Sequence, residues 1–287
     1  MQIGLLGLLD VRENGISITP TAPKPRQALA LLALHADQVV PVSALIDELW
    51  AGRPPRSART TLQTYVLQLR DLIGIALEKE SAAAGPAEGR PRSAKDVLVT
   101  SPGGYMLVSG DGPNDVREFE RLAGMGYRAL DTGDFQGASR LLREALALWT
   151  GLAFAGVQTG TLLETEARRL EESRLCALDQ RIEADLRLGR HRELLAELTV
   201  LTSRYRTHEN LHAQFMLALH RSGRRGEALD VYQRLRGTLI RGLGLEPSER
   251  LRRLQRSILI TAQETAPQSE QRLAAAVSPA RVCGTAR

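Results

Sequence analysis

The sequence predicts a mainly α chain with small β elements: an N-terminal winged helix-turn-helix followed by an all-α, tetratricopeptide-like helical repeat domain. Three observations carry that expectation. The first hundred residues run hairpin, three helices, hairpin, the layout in which a third helix enters a major groove and the last hairpin forms a wing. Beyond residue 113, Gly-punctuated helices recur, and Gly189 and Gly223 stand one tetratricopeptide period of 34 residues apart. Aromatics are only 4% of the chain, so aliphatic side chains build the core, and the abundance of Leu, Ala and Arg favours helices.

The elements follow in order. Ile3 to Val11 is short and apolar, Glu13-Asn14-Gly15 supplies a turn, and Ile16-Ser-Ile-Thr19 alternates, which predicts a β-hairpin with Asn-Gly at its tip. Pro20, Pro23 and Pro25 break the chain ahead of a compact apolar helix, Arg26 to Leu34. Ser43 is read as the N-cap of a second helix carrying Leu45, Ile46, Leu49 and Trp50. The loop from Ala51 to Ser57 contains Arg53, Pro54, Pro55 and Arg56. A third helix is expected from Ala58 to about Ile73, because Leu62, Val66, Leu69 and Ile73 make one apolar stripe. Residues 75–96 lack a sustained period and read as a flexible insertion. Val97 to Val108 reads as two strands around Gly103-Gly104, followed by Tyr105.

The second part starts with a helix from Asp115 to about Leu130. Gly133, Gly189 and Gly223 each end one helix shortly before another begins. Such hairpins bury their apolar faces on one another. A final helix is expected from Leu251 to about Ile260, and a disordered tail over 263–287. The division is thus 1–110, 113–262 and 263–287.

Length and composition bound the function. With 287 residues, two domains fit at roughly 100–200 residues each. The Ile3-to-Leu9 apolar start lacks a basic leader and is followed by Asp10, Arg12 and Glu13, so it fails as a signal peptide, and no apolar run reaches membrane-spanning length. A cytoplasmic, nucleoid-associated protein without a membrane partner is expected. The net charge of +5 permits an anionic partner. However, the first 110 residues carry 11 Lys and Arg against 10 Asp and Glu, so bulk charge says little about DNA. Local pattern says more: Arg53, Arg56, Arg59 and Arg70 lie in and before one helix. That helix also presents Thr60, Thr61, Gln63, Thr64, Tyr65 and Gln68, side chains that bond phosphates and base edges where a merely solvated face favours Glu and Lys.

Several words carry a family resemblance: Pro25-Arg-Gln-Ala-Leu-Ala-Leu-Leu-Ala-Leu34, Leu45-Ile-Asp-Glu-Leu-Trp50, Thr61-Leu-Gln-Thr-Tyr-Val-Leu-Gln-Leu-Arg70 and Gly103-Gly-Tyr-Met-Leu107. The N-terminal order resembles the OmpR-type winged helix, and the words together resemble the Streptomyces antibiotic regulatory protein family over residues 1 to 262. Ala145-Leu-Ala-Leu-Trp149, Glu166 to Glu172, Arg181 to Leu186, Met216-Leu-Ala-Leu-His220 and Glu246-Pro247 resemble its bacterial transcriptional activator domain. Asp71 stands where the family usually carries a basic residue, and Leu67 where relatives often carry a small or polar one.

The resemblance implies a transcriptional activator with no enzyme activity, cofactor or metal. It binds direct repeats in double-stranded promoter DNA, pairs as a homodimer, recruits RNA polymerase holoenzyme and switches on an antibiotic biosynthetic gene cluster. The DNA-contacting candidates are Arg56, Arg59, Thr60, Thr61, Thr64, Tyr65, Gln68, Arg70, Gly103, Gly104 and Tyr105. Arg53, Pro54 and Pro55 are candidates for polymerase contact. The alternative is a protein-interaction adaptor that does not bind DNA.

Three signals have plainer readings. His208-Glu-Asn-Leu-His212 fits the zincin pattern H-E-x-x-H but opens a repeat helix, and is read as structural. Cys176, beside Leu175 and Leu178, is read as a buried small apolar residue, and Cys283 falls in the tail. Trp50 and Trp149 are read as core anchors. No phosphate-binding loop pattern occurs, and with strands expected from residue 3 no receiver domain is expected ahead of the winged helix.

Overall fold

The protein is described from a computed structural model, which covers the backbone of residues 1–84 and 92–260 and the side chains of 1–79 and 92–260. The expected tail and Cys283 lie outside the described residues. The chain divides into two compact units, Met1–Arg181 and Ile182–Arg287.

The first unit opens with an antiparallel sheet of β1 (Gln2–Gly4), β2 (Asp10–Glu13) and β3 (Ile16–Ser17). Asn14 and Gly15 sit at φ 53° and 77°, the left-handed pair that a two-residue hairpin turn requires. The apolar run from Ile3 to Val11 is two strands, contrary to the single strand expected, with Ile3 opposite Val11. The intervening reversal is held from elsewhere in the unit. The Asp115 carboxylate accepts the Leu5 and Leu6 N–H groups at 2.7 and 2.8 Å, and the Leu5, Leu6 and Gly7 carbonyls accept from Phe154, Thr150 and Ala155.

Helix α1 (Pro23–Leu34) begins on Pro23, whose missing N–H costs nothing in a first turn. After β4 (Val40–Pro41) comes α2 (Val42–Trp50). Ser43 is not its N-cap: Pro41 holds that position, and the orphan Val42 N–H donates to the Gly103 carbonyl instead. Helix α3 (Ala58–Ala84) is longer than expected. Ile73, Ala76 and Leu77 prolong its buried stripe past Gly74, so ten residues read as loop are helical. Ser93 and Asp96 form a capping box on α4 (Ala94–Val97), which leads into the wing hairpin β5 (Leu98–Ser101) and β6 (Gly104–Leu107). β6 lies between β4 and β5.

Helices α5 (Asp115–Asp131), α6 (Phe135–Ala147) and the start of α7 (Thr161–Arg187) complete the unit. One buried cluster runs through all of it, from Leu29, Leu62 and Leu107 to Phe119, Leu142, Phe154 and Leu163. Trp149 is an anchor as expected, edge-on to Phe119 at 5.5 Å with the Arg174 guanidinium over its ring. Trp50 is only half-buried. Cys176 is exposed, correcting the buried reading: Ala177, one position on, holds the core side of α7.

Glu48 of α2 is a buried carboxylate whose facing groups are all donors. Its Oε1 accepts from Gly160 N–H and Gln27 Nε2, and its Oε2 from Leu162 and Leu163 N–H. It therefore satisfies the orphan amides at the start of α7, where a negative charge also opposes the helix dipole.

The second unit contains α8 (Leu194–Arg204), α9 (Glu209–Arg221), α10 (Arg225–Leu243) and a last helical stretch over 249–260. The predicted glycines do punctuate helices. Gly133, Gly189 and Gly223 all have φ near +80°. Each turn repeats one bonding pattern: residues 132, 188 and 222 bond four back, the glycines three back, and residues 134, 190 and 224 five back. The common bonding pattern reflects a recurring unit, as the 34-residue spacing implies.

Candidate nucleic-acid interface

Helix α3 has two faces. Leu62, Val66, Leu69 and Ile73 are each 2% exposed or less and fix the helix against α1 and α2. The opposite face leaves Arg59, Thr60, Gln63, Thr64 and Gln68 exposed. Arg53, Pro54, Pro55 and Arg56 are exposed in the loop just before it. Thr61 is half-buried, and the Thr64 hydroxyl donates to the Thr60 carbonyl, leaving its lone pairs outward. Leu67, 57% exposed, stands in the middle of this polar face, and Asp71 closes it.

Of the remaining sequence-predicted residues, all but Gly103 occupy the scaffold. Tyr65 is half-buried and stacks on Trp50, with ring centroids 6.5 Å apart and planes 18° from parallel. Arg70 donates through Nε and Nη2 to the Leu98 carbonyl and through Nη2 to the Thr100 hydroxyl at 2.8 Å, joining α3 to the wing. Gly103 forms the wing tip at φ +82°, a conformation glycine adopts freely. Gly104 and Tyr105 lie inside the sheet: a Cβ on Gly104 would stand 2.2 Å from the Val40 carbonyl, and Tyr105 is buried opposite Val40 and Thr100. Gly104 and Tyr105 thus shape the wing from within. Nothing local in the sequence marks Arg70 as a strut, because its acceptor lies 28 residues on.

The H-E-x-x-H residues are taken up by the helix they open. His208 is the N-cap of α9 and accepts the Leu211 N–H at Nδ1. His212 is buried with its Nδ1 at 3.1 Å from the His208 carbonyl, and Glu209 accepts the Ser248 N–H. Among the described residues, no group of three or more His, Cys, Asp or Glu could hold a metal ion, and no helix is long and apolar enough to cross a membrane.

Residues 17–82 match the family described as transcriptional regulatory protein, C terminal, and residues 114–259 match the bacterial transcriptional activator domain. An OmpR-type winged helix joined to that domain defines a class of transcriptional regulators, which are not enzymes. Within that class the chain belongs to the Streptomyces antibiotic regulatory protein family. It is 53% identical to Regulatory protein DnrI of Streptomyces peucetius, over 90% of this chain and 92% of that one. It is 35% identical to Regulatory protein AfsR of Streptomyces coelicolor over 90% of its own length, which spans 24% of that relative. Among solved structures, Mycobacterium tuberculosis EmbR, in complex with a low-affinity phosphopeptide, matches with a TM-score of 0.80 and 33% identity, over 91% of this chain and 65% of that one.

Proposed function

We propose that this transcriptional regulator is a sequence-specific DNA-binding activator. Residues 1–110 are its DNA-binding domain and residues 113–262 its activator domain. The observation that carries the reading is the exposed face of α3, where arginine, threonine and glutamine side chains face outward from a helix locked from behind by its apolar stripe. Thr60, Thr64 and Gln68 read base edges in the major groove, with Thr61 at the margin. Arg56 and Arg59 neutralise phosphates, and the Gly103 tip meets the flanking backbone or minor groove. Arg70, Tyr65, Gly104 and Tyr105 act by holding this surface in shape. Two protomers occupy direct repeats, and the loop at Arg53, Pro54 and Pro55 contacts RNA polymerase. The setting is the cytoplasm, beside the nucleoid, at the promoter of an antibiotic biosynthetic cluster.

Fluorescence anisotropy and footprinting on the promoters flanking its own gene test this. The expected result is a protected pair of direct repeats with affinity that falls steeply with salt. Complete absence of salt-sensitive DNA binding would instead favour a protein-interaction adaptor.

A further inference from the structure

Several arginines of the second unit are held in ion pairs. Arg190 binds Asp185, Arg224 binds Glu227 and Arg236 binds Glu246. Arg206, just beyond α8, and Arg234 and Arg241, two turns apart on α10, make no ion pair among the described residues. All three line one cavity of about 440 Å³ among α8, α9 and α10, and no carboxylate joins them there. Its apolar lining includes Phe215, Val231 and Leu235, and His212 stands in its wall. Three exposed guanidinium groups thus border one open, partly apolar cavity, and the single sign of charge among its lining residues favours an anion there.

The polar chemistry of the cavity has one sign. The Thr202 and Thr238 hydroxyls donate to carbonyls of their own helices, Leu198 and Arg234, so the donors left for a ligand are guanidinium N–H groups. His212 has its Nδ1 engaged with the His208 carbonyl, which leaves Nε2. Burial, with the charges of His208 and Arg234 nearby, holds its imidazole below the usual histidine range. The volume is that of small-molecule pockets, roughly 300–1,000 Å³.

We propose that this cavity binds a small amphipathic organic anion, its carboxylate or phosphate held by Arg206, Arg234 and Arg241 and its apolar body lying on Phe215 and Leu235. The planar guanidinium fork suits both acid groups. The site is built from residues of the second unit, and its test does not need DNA.

The experiment titrates the full chain, labelled at histidine, with phenyl phosphate, inorganic phosphate and phenol, following the His212 Cε1–H resonance. Phenyl phosphate is expected to produce a saturable shift with affinity at least about ten-fold above either fragment. Arg234→Gln with Arg241→Gln should weaken it by at least about ten-fold at unchanged Tm, and Arg206→Gln, on a different segment, should weaken it independently. No saturable shift up to roughly 10 mM phenyl phosphate would overturn the proposal. So would undiminished binding by the arginine variants, or a response confined to an acidic glutamate hexapeptide, which would make the occupant a protein segment.

Discussion

The Glu48 carboxylate and the Gly160 backbone meet as a fitted pair: Oε1 accepts the Gly160 N–H at 2.5 Å, and the Glu48 carbonyl lies 2.2 Å from where a Gly160 Cβ would stand. Glycine at 160 is required by space rather than by dihedral freedom. The contact joins α2, directly before the loop to α3, to the first turn of α7. Glu48→Ala should cost about 3 kcal/mol, since it strands buried N–H donors, and lower Tm by roughly 6–12 °C. Glu48→Gln should not rescue it, because every group facing the carboxylate is a donor. Gly160→Ala should be destabilising for the steric reason alone. Thermal unfolding of the three variants checks this, and wild-type Tm values in all of them would refute the capping role.

Arg59, Gln68 and Arg70 should separate by what each variant loses. Gln68→Ala should cost about 1–3 kcal/mol on the specific site and little on random DNA. Arg59→Ala should reduce the slope of log K against log salt by about 0.9. Arg70→Ala should instead speed hydrogen exchange through Leu98–Leu107, because its guanidinium holds Leu98 and Thr100. Unchanged exchange in the wing would mean that the strut is idle.

Asp37 supplies the pH dependence. Partial burial pushes its carboxyl up, but hydrogen bonds from Ser109 and the Arg117 guanidinium outweigh this and hold it below the ordinary carboxylate range. A folded-state value below the unfolded one means that its stabilisation is complete above about pH 4 and fades as pH falls through the folded value. Asp37 also has φ +68°, which asparagine tolerates, so Asp37→Asn isolates the charge. Urea unfolding should show wild type more stable than Asp37→Asn at pH 7, with the gap shrinking towards pH 3. A gap independent of pH would rule out this linkage.

His208→Ala should cost about 1 kcal/mol by removing the α9 cap, and His208→Ser should restore it. A metal-site reading makes the opposite forecast, since serine restores a cap but not a zinc ligand. Stoichiometric zinc in the purified protein, lost equally in both variants, would support that reading.

The order of elements was legible because its signals are local. Prolines 20, 23 and 25, the Asn14-Gly15 turn and the Leu62–Val66–Leu69–Ile73 stripe each act within a few residues. So do the repeat glycines, whose positive φ can be inferred wherever a helical period stops on glycine. The long-range struts were not legible. Glu48 looks like any acidic residue at a helix end, and its backbone N–H partners lie more than a hundred positions away. Arg70 presents the same sequence signal as a phosphate contact and as a wing tie. The end of α3 is not legible, because Gly74 and the charged residues after it hide Ala76 and Leu77, two small additions to the buried stripe. The exposed face of Cys176 is not legible, because apolar neighbours on both sides of it in sequence carry no information about helical phase.

The Arg70 tie makes α3 and β5 a caliper of fixed span. On the proposed DNA-binding role, a helix and a wing tied at one separation measure the shape of the duplex between them. A duplex whose grooves match the span is accepted undistorted, and one that does not must bend or twist at its own elastic cost. On the proposed DNA-binding role, stiffness and groove width become selected properties of the operator, including at base pairs that no side chain touches.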